Sequence, residues 1–220
     1  PVEDPVILDA VTGSWRNAQT GATTQLEKPK ATDIEGHWAQ RELELMIAYR
    51  AIDVVDGKAR PNQVITRGEL IKMLVLAMNS GRPPIVYATA NSAAFNDVME
   101  KSAYFPYVQN ALQQNLIDVG DGTFHPEGKV DREEMAELVV RALGFNSLAD
   151  HSELFNVTFK DADKTKRKGQ AAIAVGLGIM SLANGNFVPD RYVTRAEAAS
   201  AFLRFLTARA ELQEAPLRTE

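Results

Sequence analysis

The chain has 220 residues, 45% of them apolar and 24% charged, enough for one or two domains whose core needs neither disulfide nor metal. Its 24 basic residues against 29 acidic ones leave a net charge of −5, which argues against a broad phosphate-backbone partner, so no nucleic acid is expected. With no Cys, thiolate metal sites, Cys nucleophiles and disulfides are excluded. No apolar run approaches a membrane span, Leu74–Met78 being among the longest, and no membrane insertion is expected. No signal peptide is visible and the chain opens on Pro1, which reads as a processed or excised piece.

In chain order, Val6–Ala10, Thr12-Gly13 and Ser14–Arg16 read as the end of a strand pair with a tight turn. Residues 1–30 are therefore expected to be a β-hairpin-like tail, the end of an upstream domain or a linker. From residue 31 the pattern is helical. First helices are expected over Trp38–Arg50, Tyr104–Asn115 and Gly169–Gly178, closed by Ile52, Ile117 and Ile179. Second helices follow Thr66, Asp131 and Thr194, each an N-cap residue with Glu three positions on (Glu69, Glu134, Glu197), which is capping-box spacing. Apolar residues recur along one face of each, as in Leu70, Met73, Leu74 and Ala77, then Met135, Leu138, Val139 and Ala142, then Ala198, Ala201, Phe202 and Phe205. Two linkers, Asn79–Ala94 and Asn146–Val157, separate the pairs, the second holding a short helical turn. Thr207–Glu220 reads as a polar tail.

The pairs are a threefold repeat. Counting from Gly57, Gly122 and Gly185, Pro stands at +4, Arg at +10 and Glu at +12 in all three, and Asp33, Asp97 and Asp161 lie 64 residues apart. The expected divisions are 31–80, 94–145 and 158–208, with a tail over 209–220. One helix pair cannot bury its apolar face alone, so the units must share a core. A period near 64 exceeds the usual solenoid range of about 20 to 50 residues, which favours closure around a three-helix centre. The fold class is mainly all-α.

Arg67, Arg132 and Arg195 are the informative residues. Each falls at the first helical position, where a cation opposes the helix dipole and free backbone N–H groups attract anions. Either the Arg pairs with the Glu two residues on or with the upstream Asp of a neighbouring unit, or it meets an anionic ligand; the spacing leaves both open. The glutamates read as capping groups, the aspartates as caps that also reach a neighbouring Arg, and the glycines as turns with positive φ. His37, His125 and His151 lack metal-ligand spacing. Asp161-Ala-Asp163-Lys-Thr165 begins like a calcium loop, but Lys166 stands where Gly is needed and Ala172 in place of the last Glu. No metal, no cofactor and no catalytic constellation is expected.

Thr66-Arg67-Gly68-Glu69 and Thr194-Arg195-Ala196-Glu197 resemble the Thr-Arg-Ala-Glu signature of S-layer homology domains. Asp33-Ile34 with Trp38-Ala39, Phe95-Asn-Asp97-Val98, Phe159-Lys-Asp161-Ala162 and Gly122-Thr-Phe124-His-Pro126 supply matching context. The resemblance covers about 31–208. It implies an intrachain pseudo-trimer around a central three-helix bundle, whose inter-repeat grooves bind secondary cell-wall polysaccharide, often through a pyruvylated sugar. The implied function is non-covalent anchoring of an exported bacterial protein, extracellular, on a Gram-positive wall or S-layer. Carried over by position, Arg67, Arg132 and Arg195 contact the anion. Asp33, Asp97 and Asp161 orient Arg or bond sugar hydroxyls. Gly57, Gly122 and Gly185 let the sugar approach the loop, and Trp38 offers an aromatic face. Asp131 departs from the signature by placing a carboxylate beside Arg132, which weakens attraction for an anion. Ala59 replaces the loop Phe, and Lys166-Arg167-Lys168 replace the aromatic of the third unit, so the grooves are not expected to be equivalent. The alternative is a degenerate trimer serving protein–protein contact or self-assembly, with the chain's own upstream domain as a partner.

Overall fold

The computed structural model describes residues 31–85 and 94–214, with the backbone of two short strands before them. Those strands, β1 (Val6–Leu8) and β2 (Trp15–Asn17), pair antiparallel with Val6 opposite Asn17 and Leu8 opposite Trp15. The turn expected at Thr12-Gly13, half of the first linker (86–93) and the last six residues lie outside the described residues.

The rest is helical. The first helices are α1 (Gln40–Ala48), α3 (Phe105–Gln113) and α6 (Lys168–Gly176); the second helices are α2 (Arg67–Met78), α4 (Arg132–Ala142) and α7 (Arg195–Glu214). A single turn, α5 (Asn146–Ala149), occupies the second linker. Each first helix stops where one residue turns left-handed, Arg50 (φ 57°), Asn115 (φ 57°) or Gly178 (φ 69°). The next amide then reaches back to the helix, as Ala51 N–H does to the Met46 carbonyl and Leu116 N–H to that of Ala111. Trp38 falls before α1 rather than inside it, and it is 65% exposed.

The second helices start as their caps dictate. Thr66 and Glu69 form a reciprocal capping box, and Asp131 accepts the Glu134 N–H at 2.8 Å. Along α2, Leu70, Ile71, Met73, Leu74, Val75, Leu76 and Ala77 are all buried. A helix apolar on every side belongs in a core, and α2 packs against both α4 and α7. α7 continues over residues 209–214, which the sequence reading assigned to a tail. Ala208 is buried, and the Arg209 guanidinium donates to the Met78 carbonyl at 3.1 Å, so the extra turns are anchored on the end of α2.

The two helices of one unit are not each other's main partners. α1 packs on α7, α3 on α2 and α6 on α4, so each first helix lies on the second helix of another unit. Three residues join the units at the centre. Ile65 N–H donates to the Val193 carbonyl at 2.9 Å, Val193 N–H to that of Val130 at 3.0 Å, and Val130 N–H to that of Ile65 at 3.3 Å. All three side chains are buried. This ring of main-chain bonds returns the third unit to the first, which an open solenoid would not do.

Candidate functional site: three inter-unit seams

Each seam is built the same way. The turn glycines have left-handed φ (69°, 85° and 81° at Gly57, Gly122 and Gly185), so a β-carbon there would be strained. The two residues after each turn are held by the upstream Asp. Asp33 accepts the N–H groups of Ala59 and Arg60 at 2.8 and 2.7 Å, Asp97 those of Phe124 and His125 at 2.8 and 2.6 Å, and Asp161 those of Phe187 and Val188 at 2.7 and 2.8 Å. Burial pushes these carboxyls up, but the paired backbone donors outweigh it and hold all three below the usual aspartate value. Both oxygens of each Asp are therefore committed to loop amides, and among the described residues none pairs with an arginine guanidinium.

The Arg of the neighbouring unit takes the loop carbonyl from the other side. Arg67 Nη1 donates to the Phe124 carbonyl at 2.7 Å, Arg132 Nε to that of Phe187 at 2.7 Å, and Arg195 Nη1 to that of Ala59 at 2.9 Å. One loop residue is thus clamped through its N–H by Asp and through its C=O by Arg. The guanidinium also lies over the loop ring where there is one, at 6.0 Å for Arg67 over Phe124 and 5.0 Å for Arg132 over Phe187.

The helix starts are not open to anions. The first two amides of each second helix bond the neighbouring loop: Arg67 and Gly68 N–H to Gly128 and Pro126, Arg132 and Glu133 to Arg191 and Pro189, Arg195 and Ala196 to Gln63 and Pro61. The third is taken by the cap side chain. Closing the units into a ring consumes the donors that an isolated helix would offer.

The arginines differ in their acidic partners. Arg67 Nε donates to Glu134 at 2.5 Å, and Arg195 donates to both oxygens of Glu69. Neither uses the Glu two residues on, nor an Asp; the pairing crosses to the next unit. Arg132 breaks the pattern. Its Nη2 donates to the Ser181 carbonyl at 2.5 Å, while Glu197 pairs instead with Arg191 at 2.8 Å. Among the described residues no carboxylate pairs with Arg132, although it is only 7% exposed. Burial, then the charge of Arg191, lowers its pKa, opposed by the charges of Glu197 and Asp161. Asp131 does not shield it: its carboxylate turns onto its own helix and lines the Arg67 cleft.

Three clefts lie along the seams. The Arg132 cleft holds 170 Å³ and is bordered by Trp38, Ser181, Arg191, Glu197, Ser200 and Arg204. The Arg67 cleft holds 380 Å³ and is bordered by Asp118, Asp131, Glu134, Glu137, Arg141 and Arg167. The Arg195 cleft, with Asp53, Glu69 and Lys72, is nearly closed at 10 Å³. Arg191, Arg204, Ser181 and Ser200 were not singled out from the sequence. The signal was there: four residues before the turn Gly stand Asp53, Asp118 and Ser181, and five after the Arg stand Lys72, Glu137 and Ser200. The third unit alone is uncharged at both places. Among the described residues no cluster of His, Asp and Glu could hold a metal ion, and no helix is long and apolar enough to cross a membrane.

Residues 94–136 and 158–199 match the S-layer homology domain family, which spans the loop, the Asp clamp and the Arg of the second and third units. The second and third units thus match S-layer homology repeats. The first unit has the same clamp, with Asp33 on Ala59 and Arg195 across the seam. Over 82% of its length the chain is 28% identical to the exoglucanase XynX of Acetivibrio thermocellus, covering 17% of that protein. It is 29% identical over 74% of its length to the S-layer protein EA1 of Bacillus anthracis, covering 18%. It is 31% identical over 53% to a cell surface protein of Thermoanaerobacter kivui, covering 16%. The chain thus spans less than a fifth of the length of these relatives. Its S-layer homology repeats and S-layer relatives place it outside the cell, at the wall or S-layer.

Proposed function

We propose that the chain is a non-catalytic anchor that holds an exported bacterial protein on the cell wall by binding secondary cell-wall polysaccharide, through a pyruvylated sugar, between its S-layer homology repeats. In this reading 31–80, 94–145 and 158–208 are the three repeats, and 1–30 belongs to the end of an upstream domain. The observation that carries it is the Arg132 cleft. There three arginines face one glutamate, and the exposed Trp38 ring stands on the rim. A ketal pyruvate is a carboxylate, which an arginine cleft recognises by charge-assisted hydrogen bonds. An exposed indole offers a flat apolar face to a sugar ring. The free helix amides play no part, since the seams occupy them.

The test is cosedimentation with purified Gram-positive walls before and after mild acid removal of the pyruvyl groups. Binding to intact walls and its loss on stripped walls is the expected result; equal binding to both, or none to either, would sink the reading. The ion pairs that fill the Arg67 and Arg195 clefts favour a second reading, a trimer used for protein contact or self-assembly. That reading requires concentration-dependent association in sedimentation velocity and no affinity for walls.

A further inference from the structure

We infer that the chain has one working anion groove, the Arg132 cleft, and that the other two are closed by ionic locks of their own side chains. This rests on the anchoring reading and goes beyond it, by assigning the number of sites and the residues that decide it. The locks are visible position by position. In the Arg195 cleft, Lys72 Nζ donates to both oxygens of Asp53 at 2.7 and 2.8 Å, and Arg195 is held by Glu69. In the Arg67 cleft, Arg141 bridges Asp118 at 2.7 Å and Glu137 at 3.1 Å, Arg167 reaches Glu137 at 2.7 Å, and Arg67 reaches Glu134. Every arginine lining that cleft already has a carboxylate, and Asp131 adds another acid.

A ligand anion entering either cleft must displace a protein carboxylate and leave it unpaired. That exchange gains no ion pair, and for Glu69, Glu134 and Glu137, whose side chains are only about a fifth exposed, it leaves a partly desolvated acid behind, which is costly. The Arg195 cleft in addition has no room. The Arg132 cleft presents the opposite situation. Ser181 and Ser200 stand where the other units carry the lock residues, Arg204 has only a 3.5 Å contact to the Gly178 carbonyl, and Arg132 is buried with carbonyl partners alone. An incoming anion there supplies a missing charge, and the two hydroxyls are free to meet sugar hydroxyls. The ligand chemistry is a sugar carrying one anionic substituent, either a ketal carboxylate or a phosphate.

The second unit supplies its own control, because the lock can be copied. Ser181→Asp with Ser200→Glu transplants the Asp118 and Glu137 pair onto Arg204, which lies four residues after Ser200 as Arg141 does after Glu137. Isothermal titration is run on wild type, on this double variant, and on the reverse variant Asp118→Ser with Glu137→Ser. The probes are a methyl hexoside with a pyruvate ketal, a hexose phosphate and the unsubstituted sugar; circular dichroism checks each fold. Wild type should bind one anionic sugar per chain, with the better of the two anions identifying the source, and should not bind the neutral sugar. The double variant should lose at least 10-fold in affinity while remaining folded. A stoichiometry of two or three overturns the inference, as does undiminished affinity in the folded double variant. If wild type still sediments with walls while either of these occurs, the inference alone has failed. If wild type binds neither walls nor sugars, the anchoring reading has failed with it.

Discussion

Arg67, Arg132 and Arg195 are equivalent in sequence and different in employment. Arg67 and Arg195 are fastened to acids of the next unit, so truncating either leaves a glutamate and a loop carbonyl without their donor. Arg67→Ala is expected to lower stability by about 1–3 kcal/mol, read as a shifted urea midpoint with an unchanged slope. A loss of wall binding in that variant would report on folding first. A second prediction at this scale concerns Gly68, where the Thr-Arg-Ala-Glu signature has Ala. A β-carbon there would sit 2.8 Å from the Tyr104 ring, so the missing methyl makes room for that ring on α2. Gly68→Ala should destabilise by about 1–3 kcal/mol through overpacking. In a Tyr104→Ala background the same change should stabilise by up to about 1 kcal/mol, the helix preference of Ala over Gly. The same sign in both backgrounds would show that the ring is not the reason for the glycine.

At the scale of the element, the loop between the two helices is held by one carboxylate through two backbone N–H groups. The depressed pKa of Asp33, Asp97 and Asp161 makes this clamp a pH-dependent contribution to stability. The sign follows from linkage: a carboxyl lowered by folding stabilises fully above its unfolded value of about 4 and loses that contribution as the pH falls through the lower folded value. Thermal unfolding between pH 7 and pH 2 should therefore show an acid-side drop. Asp97→Asn should lower the melting temperature at pH 7 and make that drop shallower. A variant whose acid limb matches wild type would mean that other carboxylates control it.

At the scale of the molecule, the units depend on one another. α1 rests on α7, Arg195 holds the first loop, and the ring through Ile65, Val130 and Val193 needs all three members. Removing α7 by ending the chain before Arg195 would expose the buried face of α1 and leave the Ala59 and Pro61 carbonyls unpartnered. Such a chain is expected to lose cooperative unfolding altogether, measured by circular dichroism melts. Retention of a transition with about two-thirds of the helical signal would instead mean independent repeats, as in a solenoid.

The sequence by itself determined the helices, their caps and the threefold spacing, because capping boxes, apolar periodicity and turn glycines act within a few residues of chain. It also carried the family resemblance, because Thr66-Arg67-Gly68-Glu69 and Thr194-Arg195-Ala196-Glu197 are local strings. It left open what the arginines meet, and it placed the weakening carboxylate of Asp131 at the wrong cleft. Only the tertiary structure decided that Arg67 meets Glu134, that Asp131 turns away from Arg132, and that among the described residues Arg132 is the one of the three without an acid. The physical reason is that a guanidinium at a unit boundary is satisfied by whichever carboxylate or carbonyl the next unit presents across the seam. Those partners stand as many as 136 residues away in the chain, as Arg195 and Ala59 do, at a separation that no local spacing rule reaches.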